Sequence, residues 1–200
     1  MSKIYNEITI ITVLYNSSEI VESFFDSLKN FKIIVVDNGK NEKILERIKN
    51  FKNIQVISKN KNLGYGRAIN FAFNNVSTNF FLVLNPDLSI DDSSIENMLN
   101  TLNQYNDCGI VAPVTLPDKD FYGAFPERNL KNVDSSNAIK SRELLLDSKI
   151  EGELCVDVAK GCALLISAKH FKNIGKFDEK YFLFWEEIDL CRKFRSKKTS

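Results

Sequence analysis

Apolar and polar positions follow a repeating rhythm over the first 112 residues. A short β-rich run gives way to apolar residues at helical spacing, and the cycle restarts. Ile8–Leu14 is β-branched and almost continuously apolar, which predicts a strand buried on both faces. Ser17 or Ser18 then caps a helix carrying Ile20, Val21, Phe24, Phe25 and Leu28 on one side. A second strand over 33–36 ends at Asp37-Asn38-Gly39. Ile44, Leu45, Ile48 and Phe51 mark the next helix, and 54–57 a third strand. A helix follows Gly66, with Ala68, Ile69, Ala72 and Phe73 inward. Phe80–Leu84 is a fourth strand, Ile95, Met98, Leu99 and Leu102 line another helix, and 109–111 begins a further strand.

The second half is less regular. Pro113, Pro117 and Pro126 interrupt it, and 129–150 is polar without glycine or proline, reading as a loop with some helix. A strand over 154–166 contains Gly161. A short helix at Ala168–Asn173, a turn at Gly175-Lys176-Phe177-Asp178-Glu179 and a last helix over 186–195 follow. The expectation is one α/β domain over 1–200, in two halves, 1–112 and 113–200. Repeated strand–helix–strand units predict a mostly parallel, Rossmann-like sheet flanked by helices. Ligands on such sheets bind at the carboxyl ends of strands. Polar clusters stand at those ends: Tyr15-Asn16, Asp37-Asn38 and Asn85-Pro86-Asp87.

Composition narrows the classes. Apolar residues make up 44%, enough for a core, and the formal net charge of +1 gives no field for nucleic acid. No apolar run is long enough to cross a bilayer, and Tyr5, Asn6 and Glu7 break any signal-peptide pattern. The four cysteines form no C-x-x-C pair and His170 is the single histidine, which argues against structural zinc and for reduced thiols in the cytoplasm. Arg192, Lys193, Arg195, Lys197 and Lys198 form a basic end, either a solvated terminus or a peripheral contact for anionic lipid.

Four segments carry chemistry. Asn85-Pro86-Asp87 ends an apolar strand on a carboxylate, which can hold Mg²⁺ or Mn²⁺ beside phosphate oxygens; a plain turn is the alternative. Asp37 can accept from a base or ribose group, or close a turn into the next helix. Within Asn62-Leu63-Gly64-Tyr65-Gly66-Arg67-Ala68-Ile69-Asn70 the glycines allow a tight entry into a helix. Arg67 and Asn70 share a face there and are candidates to reach the nucleotide. In Trp185-Glu186-Glu187-Ile188-Asp189-Leu190-Cys191, Glu187 shares a stripe with Leu190, Cys191 and Phe194, so it is expected inward as a candidate general base; an ordinary acidic first helical turn is the alternative. Glu186 shares one with Asp189 and Lys193 and is expected toward solvent.

Taken in order, Thr12-Val13-Leu14-Tyr15-Asn16, Val35-Val36-Asp37-Asn38-Gly39, Asn62-Leu63-Gly64 with Asn70, Leu84-Asn85-Pro86-Asp87, Lys160-Gly161-Cys162-Ala163-Leu164-Leu165, Gly175-Lys176-Phe177-Asp178-Glu179 and Trp185-Glu186-Glu187-Ile188-Asp189-Leu190-Cys191 resemble the family 2 inverting glycosyltransferases of the GT-A fold. The nearest subgroup is the bacterial rhamnosyltransferase-like enzymes of surface polysaccharide synthesis. The resemblance implies transfer from a nucleotide-diphosphate sugar (dTDP- or UDP-linked) to a saccharide or lipid-linked saccharide hydroxyl. It implies nucleoside binding by Tyr15 and Asp37 and a donor site completed by Gly64, Arg67, Asn70 and Asn85. It also implies a metal on Asp87, catalysis by Glu187, and a sugar and acceptor side at Gly161, Asp178, Trp185 and Glu186. Asn85 stands where the family's D-x-D element has its first acid. A metal-assisting histidine common after the last helix is missing before Ser200, so a shortened or C-terminally truncated domain is expected. A nucleotidyltransferase is disfavoured because Tyr15-Asn16-Ser17-Ser18 lacks the glycine-rich phosphate loop. A nucleotide-sugar-binding accessory protein stays open.

Overall fold

A computed structural model describes residues 4–17, 22–39, 41–115, 153, 156 and 158–196. Its frame is a six-stranded sheet in the order β3-β2-β1-β4-β6-β5. The strands are β1 Ile8–Leu14, β2 Lys32–Asp37, β3 Ile54–Ser58, β4 Phe80–Leu84, β5 Ile110–Val111 and β6 Ala163–Ser167. β1 pairs in parallel with both β2 and β4, and β2 with β3. β6 runs antiparallel to β4 and β5.

Alternation along the strands sends successive side chains to opposite faces. Ile8, Ile10 and Leu14 of β1, Ile33 and Val35 of β2, and Leu82 and Leu84 of β4 fill one core. Against them pack α2 (Glu22–Ser27), α3 (Glu42–Ile48) and α5 (Asp92–Gln104). Ile11, Ile34, Val36, Phe81 and Val83 fill the other. That face is covered by α4 (Tyr65–Phe73), α6 (Ala168–Asn173) and α7 (Glu186–Ser196). Sandwiched between helix layers, the central strands can be apolar on both faces, as their sequence predicts.

The strand order explains where a ligand can enter. Connections through α2 and α3 build outward from β1 to β3. The connection through α4 then crosses to the other side of β1 and starts β4. The β1–β4 gap is thus a topological switch point, where carboxyl-end loops diverge and leave a crevice. β6 adds the second half's contribution. Ala163 pairs with Leu84, and the Asn85 N–H donates to the Cys162 carbonyl at 2.9 Å. The antiparallel direction therefore brings Gly161 and Cys162 to the same sheet edge as Asn85.

The segment between α6 and α7 is fastened to α4. α6 ends in a Schellman motif: the Lys176 N–H donates to the Phe171 carbonyl at 3.0 Å and Gly175 takes φ +88°. Phe171 and Phe177 meet edge to face at 5.6 Å, and Phe171 also meets Phe73 and Phe81 at 4.9 and 5.0 Å. Such contacts are worth about 0.5–1.5 kcal/mol each beyond burial. They fix this segment over the end of the sheet.

Three expectations change. A short helix, α1 (Ile4–Glu7), precedes β1; it buries Ile4 and sets Tyr5 against Phe31. The strand expected over 154–166 begins only at Ala163, and Gly161 lies in the turn before it. Glu186 is not on a solvent face: it is buried at the first turn of α7, and Lys193 on the same stripe pairs with Asp189 at 3.0 Å and donates to the Lys176 carbonyl. The expected loop over 129–150, the boundary prolines Pro117 and Pro126, Ser18, Ile20 and Val21 lie outside the described residues, as do Lys197 and Lys198.

Candidate active site

At the carboxyl ends of β1 and β4 lies a cavity of about 400 Å³. One wall is Val13 and Tyr15 from β1 and the turn after it. The opposite wall is Asn85, Pro86 and Asp87 from the end of β4. Asn38, Asn62, Gly64 and Tyr65 form the floor toward α4, and Phe182 and Leu183 form a rim. Of the residues expected to bind a donor or metal, Tyr15, Gly64, Asn85 and Asp87 are brought together here.

Several expected ligand groups have other partners. Asp37 closes its turn: Oδ1 accepts from the Gly39 N–H at 3.3 Å and from the Asn41 amide at 2.6 Å. Its neighbour Asn38, only 4% exposed, faces the cavity instead. Asn38 accepts from the Leu63 N–H at 2.7 Å and donates to Asn62 at 2.8 Å, which sets the loop into α4. Asn70, expected to reach the donor, is buried and clamps Phe177: it donates to that residue's carbonyl at 3.0 Å and accepts from its N–H at 3.1 Å. Arg67 Nε donates to the Glu179 carbonyl. These two side chains hold the segment between α6 and α7. Asp178 accepts from the Lys180 N–H at 2.9 Å and closes the turn there.

Gly64 is required by crowding. Its φ is +79°, and a β-carbon there would stand 2.1 Å from the Phe182 carbonyl oxygen. That same oxygen accepts from the Tyr65 N–H at 3.0 Å. The rim is thus bonded directly to the first turn of α4.

Tyr65 joins the two halves of the site. Its hydroxyl lies 2.9 Å from the Asn85 side-chain amide and 2.8 Å from the Gly161 carbonyl oxygen. Burial suppresses ionisation of the phenol, and the charges of nearby Cys162, Glu186, Glu187 and Asp87 add to that effect. Sequence reasoning passed over Tyr65, although its signal was present. Flanking glycines bring its backbone close to neighbours, and it is the long side chain between them.

α7 opens on two acids, Glu186 and Glu187. Glu187 packs on Gly161, where an added β-carbon would meet the Glu187 side chain at 3.4 Å. It is half-buried, while Glu186 is the more enclosed acid at 4% exposure. Glu186 Oε2 has no hydrogen-bond partner among the described residues. Burial raises its pKa, and the adjacent Glu187 charge adds to the rise. The inward reading of Glu187 therefore describes both acids, and the solvent reading of Glu186 is corrected.

Before α7 the chain is exposed and apolar. Phe182, Leu183, Phe184 and Trp185 are 52%, 52%, 69% and 66% exposed. Phe184 and Trp185 take φ +66° and +72°, a left-handed conformation that bulky side chains rarely adopt.

The donor set suits an oxygen-liganded divalent ion. Asp87 is an exposed carboxylate on the cavity wall beside the Asn85 amide. Among the described residues no group of three His, Cys, Asp or Glu side chains comes together. A cation here would depend on ligand phosphates to complete its shell, which is the usual arrangement for Mg²⁺.

The family model for glycosyl transferase family 2 matches residues 9–165. The chain belongs to glycosyltransferase family 2. It is 27% identical over 199 residues to the low-salt glycan biosynthesis hexosyltransferase Agl10 of Haloferax volcanii, covering 95% of this chain and 62% of that protein. It is 23% identical over 217 residues to the N-acetylglucosaminyl-diphospho-decaprenol L-rhamnosyltransferase of Mycobacterium tuberculosis, covering 90% of this chain and 68% of the relative. Among solved structures, the mannosyltransferase PcManGT of Pyrobaculum calidifontis in complex with GDP-Man and Mn²⁺ superposes with a TM-score of 0.61 at 14% identity. That match covers 86% of this chain and 48% of the other. GalNAc-T7 with UDP, GalNAc and Mn²⁺ gives 0.66 at 12% identity, covering 96% and 41%. The sheet is the GT-A sheet, as the sequence resemblance implied. The chain spans about two thirds of the curated relatives and about half or less of these structures.

Proposed function

We propose that this domain transfers a sugar from a nucleotide-diphosphate donor to a hydroxyl of a saccharide or lipid-linked saccharide, with inversion at the anomeric carbon. The observation that carries this is the joint between Asp87's wall and the Glu187 helix. Tyr65 touches both Asn85 and Gly161, so Asp87, a carboxylate suited to a cation beside a diphosphate, and Glu187, which packs on Gly161 and suits an acceptor hydroxyl, are tied to one residue.

In this reading residues 1–112 bind the donor and 113–200 the acceptor. Tyr15 and Asn38 lie along the nucleoside's path, with Asp37 holding the turn beneath. Asp87 and Asn85 would hold Mg²⁺ or Mn²⁺, which when bound neutralises charge on the departing diphosphate. Glu187 accepts the proton of the acceptor hydroxyl, whose oxygen attacks the face opposite the nucleotide. Fixing both substrates in one cavity supplies much of the acceleration. The exposed aromatic rim from Phe182 to Trp185 offers the acceptor an apolar contact, and the name of the mycobacterial relative supports a lipid-linked acceptor and a rhamnosyl or related donor. Among the described residues no helix is long and apolar enough to cross a membrane. We place the domain in the cytoplasm, with peripheral contact at the inner face of the membrane where a lipid-linked acceptor would be met.

Calorimetric titration with UDP-, dTDP- and GDP-sugars, with and without Mn²⁺, identifies the donor. NMR of the product made from that donor then reads the anomeric configuration. An inverted product supports this mechanism, and a retained one rejects it.

A further inference from the structure

We infer that Tyr65 is a positioning residue which fixes the side-chain amide of Asn85, so that its oxygen faces the cavity beside Asp87 as a second oxygen ligand for a divalent cation. The inference rests on the reading of Asp87 as the cation's carboxylate.

The argument is a count of protons. A tyrosine hydroxyl has one hydrogen to donate. It lies 2.8 Å from the Gly161 carbonyl oxygen and 2.9 Å from the Asn85 amide atom placed as Oδ1. The Gly161 carbonyl can only accept, so the hydroxyl hydrogen goes to it. With that hydrogen committed, the Tyr65 oxygen can only accept from Asn85. Two facing oxygens with no hydrogen between them at 2.9 Å would repel. Oxygen and nitrogen of an amide are assigned from the hydrogen-bond network, and this network sets the Asn85 nitrogen toward Tyr65. The amide oxygen is then the other terminal atom. That position has no protein partner among the described residues, and Asn85 lines the cavity together with Asp87.

The backbone of Asn85 cannot change this choice. Its N–H donates to the Cys162 carbonyl at 2.9 Å, and its carbonyl accepts from the Leu88 N–H at 3.2 Å. Only the side-chain orientation is left, and Tyr65 sets it. An amide oxygen next to a carboxylate is a hard-oxygen pair, the chemistry that Mg²⁺ and Mn²⁺ prefer. The lone Asn in Asn85-Pro86-Asp87 thus supplies an oxygen without supplying a charge.

The test is a double-mutant cycle on Mn²⁺ affinity in the full chain, read from the EPR signal of free Mn²⁺. Inorganic pyrophosphate is present as the diphosphate probe, with a protein-free control. Tyr65→Phe frees the amide to turn its nitrogen to the cation and is expected to weaken Mn²⁺ binding by about fivefold, the worth of one net hydrogen bond. In an Asn85→Asp background the same Tyr65→Phe change is expected to alter affinity less than twofold, because a carboxylate has no wrong orientation. Equal losses in both backgrounds would assign Tyr65 a general structural role and overturn the inference. Mn²⁺ binding by the wild type that Tyr65→Phe leaves unchanged would overturn it while leaving the metal reading intact. No Mn²⁺ binding by the wild type would overturn both. Should Tyr65→Phe fail to fold, the wild type still decides the matter. A nuclear Overhauser contact is expected between the Asn85 amide protons and the Tyr65 ring, and its absence refutes the orientation.

Discussion

Gly64 and Gly175 share a left-handed backbone but differ in what surrounds them, which makes them a matched pair. Gly64 has φ +79° and ψ 176°, a region open essentially to glycine alone. A β-carbon would sit 2.1 Å from the Phe182 carbonyl oxygen, far inside contact distance. The clash is with backbone, so a rotamer change cannot relieve it. Gly175 has φ +88° with nothing within 4 Å of an added β-carbon. Gly175→Ala therefore costs the left-handed strain alone, about 1–2 kcal/mol. A gain of about 0.4–1 kcal/mol from a stiffer unfolded chain partly offsets it. Gly64→Ala carries about 1–3 kcal/mol of strain. It also forfeits the Tyr65 N–H to Phe182 bond, about 1 kcal/mol more, when the rim is pushed away. After the same offset Gly64→Ala loses about 1–4 kcal/mol in total, against about 0–2 kcal/mol for Gly175→Ala. Urea unfolding followed by far-UV circular dichroism measures both, with the slope checked so that midpoints compare stability. Equal losses in the two variants would show that Phe182 does not press on Gly64, and the account of the rim would fail with it.

Three further outcomes are expected. Glu187→Gln should abolish most turnover while leaving donor binding by calorimetry unchanged; retained turnover would move the base elsewhere. Glu186 has a folded pKa raised by burial, so its favourable contribution is complete below the unfolded value of about 4.3 and is lost as pH rises through the folded value. Glu186→Gln should accordingly be more stable than wild type at neutral pH, with the difference closing by pH 4 in urea titrations; a pH-independent difference would refute the burial argument. Trp185 is the single tryptophan and is 66% exposed in a strained turn at the rim. Its emission should begin as that of a solvated indole and shift to the blue when a saccharide acceptor occupies this side, whereas an unchanged spectrum at saturating acceptor would remove Trp185 from that surface.

Much of the framework could be read from period alone. The β4 limits Phe80–Leu84 and the α6 limits Ala168–Asn173 follow from an abrupt change between continuous apolar runs and helical spacing. Polar residues expected at strand ends stand at the switch point because the connection through α4 crosses the sheet there. The sequence could not reveal which polar atoms were already committed. Asp37 reads equally as a nucleotide contact or a turn, and Arg67 and Asn70 read as reaching for the nucleotide. Only the fold sets Asn70 against the backbone of Phe177, more than a hundred residues away. Helical periodicity likewise misplaced Glu186. Periodicity sorts residues by which side of the helix they occupy, and Glu186 is buried at the helix start although Asp189 and Lys193 on its side are partly exposed.

The long-range contacts also explain why two separate motifs can serve one reaction. Asn85-Pro86-Asp87 and Glu186-Glu187 are a hundred residues apart, and their relative position depends on a few joints. The Asn85 N–H to Cys162 bond fixes the Gly161 turn to the end of β4, and Glu187 packs on Gly161. Tyr65 closes the triangle from α4, while Asn70 and Arg67 pull the segment before α7 onto the same helix. Asn70 and Arg67, expected from the sequence to reach a ligand, are bonded to the segment before α7. They brace the structure between the exposed carboxylate of Asp87 on the cavity wall and the acids at the start of α7, Glu186 enclosed and Glu187 half-buried. Asn70→Ala should loosen the Phe177–Trp185 segment while Asp87 and its wall stay in place, read by hydrogen exchange as faster exchange of the Phe177 amide with the Asn85 amide unchanged.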